Sequence, residues 1–338
     1  MMAVMISSLL AVGTMGCGST GGQVTSIRIG VSVYDQYDTF VSELIDHFNA
    51  YASEVSGAAD SKVSVNIDVY NAAGSQTTQN SQAETMLQDG CDIICINLVD
   101  RTEPVTIIDM AEKNDVPVIF FNRELVEKDL ERWDKLYYVG AKAFESGIIQ
   151  GEMAADIFRT DEAADKNGDG IFQYIVLEGE ADHQDAIVRT EFAVSTIMEQ
   201  GVQVEKLGYA IANWNRAQAQ TKMAQLLTQY GSQIELVLAN NDDMALGAVD
   251  ALKVAGVERE EWPVILGIDG TDVGVAALEN GEIQGTVYND KEGQAEKMFD
   301  LAFCLATGKS LDGLGLEDGK YIREPYTKME GAKIRENE

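Results

Sequence analysis

Strand-like and helix-like runs alternate along this 338-residue chain, and that alternation limits its fold more than any other feature of the sequence. Stretches rich in Val, Ile and Leu are followed by stretches in which apolar residues recur every three or four positions. The pattern predicts strands at residues 26–34, 63–70, 92–98 and 116–121, with helices at 39–52 and 75–88. Strands separated by helices are typical of parallel sheets that carry helices on both faces.

The same alternation restarts in the second half of the chain. It predicts strands at residues 172–177, 202–211, 234–239 and 264–268, helices at 185–199, 216–230 and 242–254, a last helix at 291–308 and a last strand at 321–326. We therefore expect an α/β protein with two doubly wound parallel-sheet lobes. Ligands of such sheets bind beyond the carboxyl ends of the strands, so the cleft between the lobes is the expected ligand site.

The chain is strongly acidic, because 56 Asp and Glu residues against 25 Lys and Arg give a formal net charge of −31. Binding to nucleic acid requires a surplus of basic residues at the phosphates, and adhesion to anionic lipid requires basic segments. The composition therefore argues against both partners. The body of the chain also contains no run of about 20 apolar residues, so no internal membrane span is expected.

The first 16 residues carry no charge and are mostly apolar, as in the hydrophobic segment of a signal peptide. Cys17 follows Gly16 and precedes a stretch rich in Gly and Ser, which resembles the cleavage site of a bacterial lipoprotein. We therefore predict a signal peptide over residues 1–16, a lipid-anchored tether over 17–25, and an extracytoplasmic protein that meets the membrane only through this anchor. A secretory signal followed by an incidental cysteine is the alternative.

Polar or aromatic residues follow nearly every predicted strand. Singly, Asp and Asn at such positions cap helices or favour turns. As a set they suit a monosaccharide, because planar carboxylates, amides and a guanidinium can each engage two hydroxyl groups. Aromatic rings pack against the C–H faces of a pyranose, and Phe40 and Trp214 are candidates for such a pair. His183, one of two histidines in the chain, is a candidate contact as well.

After the signal segment the chain contains, in this order, the blocks IGVSVYDQYDTF, VPVIFFNRE, DHQDAIVRT, NWNRAQAQTKM and GTVYND. These and further blocks, in matching order over nearly the whole of this part of the chain, resemble the bacterial galactose/glucose-binding proteins. The resemblance implies a pyranose site at the positions that match the family's sugar contacts: Asp38, Asn97, His183, Asp185, Arg189, Asn241, Asp269 and Asn289, with Phe40 and Trp214 as the stacking pair.

The resemblance also implies how the chain divides and what it does. It implies a type 1 periplasmic binding protein fold with crossover segments near residues 118–121, 288–291 and 323–326 that act as hinges. The N-terminal lobe would comprise residues 26–120 and 291–323, and the C-terminal lobe residues 121–290 and 324–338. The closed monomer would dock onto the membrane permease of an ABC transporter, and members of the family also signal to chemoreceptors.

Residues 165–173 read like the start of an EF-hand calcium loop. Loop positions one, three, five and nine carry oxygen-bearing side chains, and position seven would offer a carbonyl: Asp165, Asn167, Asp169, Gln173 and Ile171. Val176 stands at the twelfth position, where an EF-hand has a bidentate Glu. The family resemblance implies that Glu235, from a neighbouring strand, closes the site around a structural Ca²⁺ ion. A surface turn rich in Asp, Asn and Gly is the alternative.

Ligand capture without catalysis is the function that these features favour. The sequence has no nucleophile elbow, no phosphate-binding glycine loop and no catalytic metal motif, so we do not expect an enzyme. A sugar-responsive transcription repressor shares the fold but requires a basic helix-turn-helix where this chain has its signal segment. Ribose and xylose are alternative ligands, and the sequence does not rank galactose against glucose.

Overall fold

The computed structural model describes residues 25–58, 62–181 and 183–331. Its strands are β1 (Thr25–Val33), β2 (Val63–Asn71), β3 (Ile93–Ile96), β4 (Val118–Phe121), β5 (Leu136–Gly140), β6 (Ile171–Glu178), β7 (Gln203–Ile211), β8 (Leu236–Ala239), β9 (Val264–Leu266), β10 (Gly285–Asn289), β11 (Tyr321–Arg323) and β12 (Tyr326–Glu330). Its helices are α1 (Thr39–Gly57), α2 (Gln76–Gln88), α3 (Val105–Asn114), α4 (Glu127–Leu130), α5 (Ala143–Thr160), α6 (Gln184–Glu199), α7 (Arg216–Tyr230), α8 (Asp242–Ala255), α9 (Asp272–Glu279) and α10 (Lys291–Thr307).

These strands form two six-stranded sheets. The first has the order β11-β5-β4-β3-β1-β2 and is parallel throughout. The second has the order β12-β10-β9-β8-β6-β7 and is parallel except for β12, which runs antiparallel to β10. The prediction of two doubly wound parallel-sheet lobes is confirmed.

Helices cover both faces of each sheet, so the central strands are buried on both sides. Every residue of β3 and β8 is buried, as expected for strands between two helical layers. In the first lobe α1 and α10 pack on one face, where the rings of Phe48 and Phe299 meet edge to face at 6.0 Å, and α2 and α3 cover the other. In the second lobe α7, α8 and α9 lie opposite α5 and α6.

The first crossover lies later in the chain than the resemblance implies. β4 lies inside the first sheet, and β5 pairs with it in parallel, from Val118 opposite Leu136 to Phe121 opposite Val139. The first lobe therefore extends to Gly140, and the assignment of residues 121–140 to the C-terminal lobe is corrected. The backbone pairing of β5 decides this point, and the chain crosses over only after that strand. It crosses again between β10 and α10 and between β11 and β12.

The prediction of one strand over residues 321–326 is wrong, because this segment forms parts of two strands in different sheets. β11 ends at Arg323 and β12 begins at Tyr326, with Glu324 and Pro325 between them. Proline has no backbone N–H and does not continue a central strand. The ladder therefore breaks at Pro325, and the chain passes from the first sheet to the second.

The N-terminal predictions concern residues that the structure does not describe. The predicted signal peptide, Cys17 and the tether up to residue 24 lie outside the described residues. Thr25, predicted as the last residue of the tether, is instead the first residue of β1. Among the described residues, no helix combines the length and the apolar character needed to cross a membrane.

Candidate functional site

One pocket lies where the carboxyl ends of strands from the two sheets face each other. Its lining comes from the first lobe (Tyr34, Asp38, Phe40, Asn122 and Arg123) and from the second (His183, Asp185, Arg189, Trp214, Asn241 and Asp269). Eight of the ten predicted sugar contacts are in this set, and the two predicted stacking residues come from opposite lobes. The structure therefore brings together side chains that are far apart in the sequence.

In the first lobe, Asp38 is held in place by two hydrogen-bond donors. It is the N-cap of α1, where its Oδ1 accepts a hydrogen bond of 2.9 Å from the backbone N–H of Val41. Its Oδ2 accepts a hydrogen bond of 2.5 Å from the hydroxyl of Tyr34. Phe40 lies in the first turn of the same helix and is buried. The start of α1 thus presents an oriented carboxylate and an aromatic ring to the pocket.

In the second lobe, Arg189 is anchored by acceptors from two strand ends. Its Nη1 donates to the carbonyl of Asn240 at 2.6 Å, and its Nη2 lies 3.4 Å from Oδ1 of Asp269. The side chains of Arg189 and Asp269 are only 5% and 7% exposed. A buried charge pair of this kind is costly to break, because removal of one partner leaves the other uncompensated. The pair therefore holds two pocket groups in a defined geometry.

Trp214 lies in the turn that precedes α7, and its backbone has an uncommon conformation. Asn213 and Trp214 have φ values of 51° and 61°, in the left-handed region that non-glycine residues seldom adopt. The indole packs against Gly179, where a Cβ atom would lie 2.1 Å from Cζ2 of the ring. The ring of His183 meets the indole edge to face, with centroids 5.1 Å apart. A strained turn and a glycine therefore place this ring at the pocket.

Two buried donors of the pocket residues have no hydrogen-bond partner: Nε of Arg189 and Nε1 of Trp214. Unpaired buried donors are costly and uncommon in folded proteins. Both belong to residues that line the pocket. A ligand rich in hydroxyl groups could supply the missing acceptors.

His183 is neutral in this setting. Burial, followed by the nearby guanidinium of Arg123, lowers the pKa of His183 to about 3. Its Nδ1 accepts a hydrogen bond of 3.2 Å from the backbone N–H of Asp185, so the proton of the neutral ring is assigned to Nε2. Burial also raises the pKa of Asp185, although Arg189 opposes the change. His183 can therefore act as a neutral hydrogen-bond donor at physiological pH.

Two of the predicted sugar contacts lie behind the pocket lining. Asn97 is fully buried, and its Nδ2 donates to the carbonyl of Phe121 and to Oδ1 of Asn122. Its Oδ1 accepts a hydrogen bond from the backbone of Tyr34. Asn97 thus ties together the ends of three strands, β1, β3 and β4.

Asn289, the other predicted contact outside the lining, is also buried. Its Oδ1 accepts a hydrogen bond of 2.6 Å from Gln294, and its side chain also forms a hydrogen bond with Asp269. Asn289 therefore supports a pocket carboxylate from behind, at the crossover between β10 and α10.

Three lining residues are missing from the predicted set: Tyr34, Asn122 and Arg123. All three directly follow β1 or β4, so their position after a strand was a signal in the sequence. Their contacts, of Arg123 with the Tyr34 ring, of Tyr34 with Asp38 and of Asn122 with Asn97, form only in the folded protein, which is why the spacing of the sequence does not assign them a role.

The pocket is narrow, with a volume of about 30 Å³ in this structure, enough for ordered water but less than a hexose needs. A wider groove of about 840 Å³ lies between α7 and α8, at the ends of these helices that point away from the pocket. It is mostly apolar and includes none of the predicted sugar contacts. Polar groups that converge from two lobes are the better indication of a sugar site, so we place the site at the narrow pocket.

The predicted calcium loop folds around Asp165. Its carboxylate accepts hydrogen bonds from the backbone N–H groups of Gly168, Asp169 and Gly170, at 2.8, 3.2 and 2.9 Å. Glu235 immediately precedes β8, and its backbone N–H donates to the carbonyl of Gln173 at 3.0 Å. The Glu235 side chain is buried and accepts hydrogen bonds from the backbone of Lys166 and Gln173. The structure thus brings Glu235 against the loop.

The ligand atoms that this loop and Glu235 offer are of the chemical type that a calcium ion prefers. Three carboxylates, two side-chain amides and one carbonyl are all oxygen donors, which Ca²⁺ prefers. Among the described residues, no three His, Cys, Asp or Glu side chains are close enough to hold a metal ion by themselves. An ion at this loop would therefore also need the oxygens of Asn167, Gln173 and Ile171.

Comparison with known proteins assigns this architecture to a family. Residues 29–310 match the model of the periplasmic binding protein domain. The chain is 34% identical over 302 residues to the D-galactose/methyl-galactoside binding periplasmic protein of Haemophilus influenzae, with 88% of each chain covered. It is 29% identical over 295 residues to a putative rhizopine-binding protein of Rhizobium meliloti, with 87% of this chain and 88% of that protein covered.

Solved structures show the same fold. An ABC transporter solute-binding protein of Bacillus halodurans with bound myo-inositol aligns with a TM-score of 0.74 and 27% identity, covering 92% of this chain and 96% of that one. A protein of Mycobacterium smegmatis in complex with β-D-fucofuranose aligns with a TM-score of 0.76 and 22% identity, covering 90% and 91%.

Proposed function

This chain belongs to the periplasmic binding protein domain family and is a sugar-binding component of an ABC transport system, and we propose that its ligand is D-galactose or D-glucose. The protein would capture the sugar outside the cytoplasm and deliver it to the permease of the transporter. Its partners are therefore a small carbohydrate and a membrane protein.

One observation carries the choice of a pyranose. Eight predicted contacts from two lobes, with the aromatic rings of Phe40 and Trp214 among them, line a single pocket. Carboxylates and amides accept and donate at hydroxyl groups, and an aromatic ring on each lobe suits the C–H faces of the sugar ring. The match of 34% identity to a galactose-binding relative supports the same choice.

The architecture suits capture rather than turnover. Both lobes contribute to the lining of the pocket, and the chain crosses between the lobes at three places. An opening and closing motion of the lobes would therefore admit and release the ligand. The small volume of the pocket suits this view, since a hexose would enter only when the lobes separate. A lipid anchor at Cys17 would keep the protein at the membrane near its permease.

We also propose that the loop at residues 165–173 holds a structural calcium ion together with Glu235. The contacts of Glu235 with Lys166 and Gln173 support this proposal, because they place a buried carboxylate beside the loop. Ca²⁺ bound there would link the loop to β8 and stabilise the folded state by mass action.

The proposal is tested by calorimetric titration of the purified chain after removal of any bound ligand. D-Galactose, D-glucose, D-ribose, D-xylose and myo-inositol are compared at equal concentrations. We expect saturable binding, micromolar or tighter, of galactose or glucose, with weaker binding of the other three. Tight binding of myo-inositol or a pentose alone would reject the hexose assignment, and no heat with any of the five would reject this site as a sugar site.

A further inference from the structure

Arg123 lines the pocket but is not among the predicted sugar contacts. It follows β4 in the first lobe and is 4% exposed. Its Nη1 donates to the carbonyl of Val99 at 3.0 Å, and its Nη2 forms an ion pair of 3.0 Å with Glu180. Its guanidinium also lies over the ring of Tyr34, 3.4 Å from the centroid. This buried cation therefore meets three different partners at once.

Glu180 belongs to the second lobe, in the loop between β6 and α6. The ion pair with Arg123 therefore crosses the cleft and can form only when the lobes are together. The Glu180 side chain is 35% exposed and that of Arg123 5%. A charge-assisted hydrogen bond with one buried partner is stronger than a fully exposed ion pair. If Glu180 withdraws, Arg123 keeps its carbonyl and ring contacts but loses its counterion.

Tyr34 connects this ion pair to a predicted sugar contact. The Tyr34 hydroxyl donates to Oδ2 of Asp38 at 2.5 Å. Burial, followed by the nearby Asp38 carboxylate, raises the pKa of Tyr34, so its hydroxyl keeps the proton that it donates. A guanidinium over the aromatic face is attracted by the ring, so the contact holds Tyr34 in this position. A chain of three contacts thus runs from Glu180 through Arg123 and Tyr34 to Asp38.

Other contacts also cross between the lobes, but they do not reach the pocket. The Thr39 hydroxyl donates to Asp243, and Lys291 lies between Glu43 and Asp272. None of these five residues is in the pocket lining. Among these cross-lobe contacts, the Arg123–Glu180 pair is thus the one that is connected, through Tyr34, to a carboxylate of the pocket, that of Asp38.

We propose that Arg123 is a positioning residue that couples closure of the two lobes to the orientation of Asp38. Glu180 engages Arg123 as the cleft closes, Arg123 holds the ring of Tyr34, and Tyr34 directs the Asp38 carboxylate toward the ligand. The contact between Asp38 and a sugar hydroxyl rests on the proposed function, whereas the closure half of the mechanism does not depend on which ligand binds.

The first experiment compares Glu180→Gln with the parent and with Glu282→Gln. Glu282 is a matched control, because it pairs with Lys253 inside the second lobe and has a similar side-chain exposure of 26%. Small-angle X-ray scattering without ligand measures the separation of the lobes, and we expect a larger radius of gyration for Glu180→Gln alone. Thermal melts check that all three proteins are folded. A radius equal to that of the parent would overturn the closure half of the proposal.

The second experiment measures ligand dissociation by stopped flow, using the sugar that binds the parent most tightly. We expect Glu180→Gln and Tyr34→Phe each to speed dissociation at least fivefold. The dissociation rate of the double variant should rise by less than the product of the two single-variant increases, because both residues act through one chain of contacts. An increase equal to that product would show that the two residues act independently and would overturn the coupling. If the parent binds no sugar, the proposed function fails, and the scattering comparison still decides whether Glu180 closes the cleft.

Discussion

The hydroxyl of Thr39 in the first lobe donates a hydrogen bond of 2.6 Å to the carboxylate of Asp243 in the second lobe. Thr39 begins α1 and Asp243 lies in the first turn of α8, so the contact joins two helix starts across the cleft. Thr39 directly follows the predicted sugar contact Asp38, and Asp243 lies two positions after another predicted contact, Asn241. The closed arrangement of the lobes is therefore partly held by groups that stand beside the pocket.

Removal of this hydroxyl should favour the open form. We expect Thr39→Val to weaken sugar binding about threefold, within the ordinary value of one net hydrogen bond, mainly through faster dissociation. The control is Thr102→Val, which removes a Thr hydroxyl bound to Asp100 within the first lobe. Stopped-flow measurements of association and dissociation test this. Equal dissociation rates for the two variants would contradict the assigned role.

Trp214 should contribute strongly to sugar binding. We expect Trp214→Ala to weaken the binding of galactose or glucose at least tenfold, or about 1.4 kcal/mol, because the ring face against the sugar is lost. Trp214→Phe keeps an aromatic face and should lose less. Calorimetric titration of the three proteins measures the dissociation constants. Binding by Trp214→Ala that equals the parent would remove Trp214 from the site.

Asp269 should also contribute to sugar binding, because it lines the pocket and is buried beside Arg189. We expect Asp269→Ala to weaken binding at least tenfold, about 1.4 kcal/mol. Asp269→Asn, which keeps the shape but not the charge, separates the loss of the counterion of Arg189 from the loss of side-chain volume. Titration and thermal melts are run together. A folded Asp269→Ala protein with the affinity of the parent would contradict the assignment.

Calcium should stabilise the folded protein through the loop at residues 165–173. We expect a chelator to lower the melting temperature and added Ca²⁺ to restore it, because an ion that binds only the folded state stabilises that state. Glu235→Gln should lower the melting temperature in Ca²⁺ and reduce the response to chelator. Glu205→Gln, at an exposed position of β7, is the control. A parent protein that does not respond to chelator would reject the ion.

The stability of the protein should depend on pH through Asp242, the first residue of α8. Burial raises the pKa of Asp242 from an ordinary 3.8 to about 7, against the hydrogen bonds that it accepts from Thr286 and Thr271. Between about pH 4 and pH 7 the folded chain therefore holds a proton that the unfolded chain has released. This contribution to the free energy of unfolding is present at lower pH and is lost as the pH rises to about 7.

Asp242→Asn removes that titration, so the comparison isolates it. We expect the free energy of unfolding of the parent, minus that of the variant, to fall as the pH rises through this window and to level off above it. Urea unfolding at several pH values measures the difference, and the titration of His183 cancels because both proteins contain it. A difference that stays constant with pH would contradict the raised pKa.

Local periodicity predicted six of the helices in the described residues but missed α3, α4, α5 and α9, of which α5 is the longest. The helices α1 and α7 carry apolar residues at helical spacing, whereas the inner face of α5 carries small residues. A Cβ at Gly147 would lie 2.7 Å from the carbonyl oxygen of Arg189, and one at Gly151 would lie 2.5 Å from that of Ala193. Helix α5 therefore packs by close approach of its backbone to α6, and such packing leaves little apolar pattern in the sequence.

The sequence by itself determined the two-lobed α/β architecture and the positions after strands from which the pocket is built, because strand and helix patterns and helix caps are local properties. Only the tertiary structure decided that Asn97 lies behind the lining and that β5 belongs to the first sheet. It also decided that Arg123 meets Glu180, 57 positions away in the chain. These facts depend on which distant segments pack together and on how the two lobes face each other, and no local pattern records that.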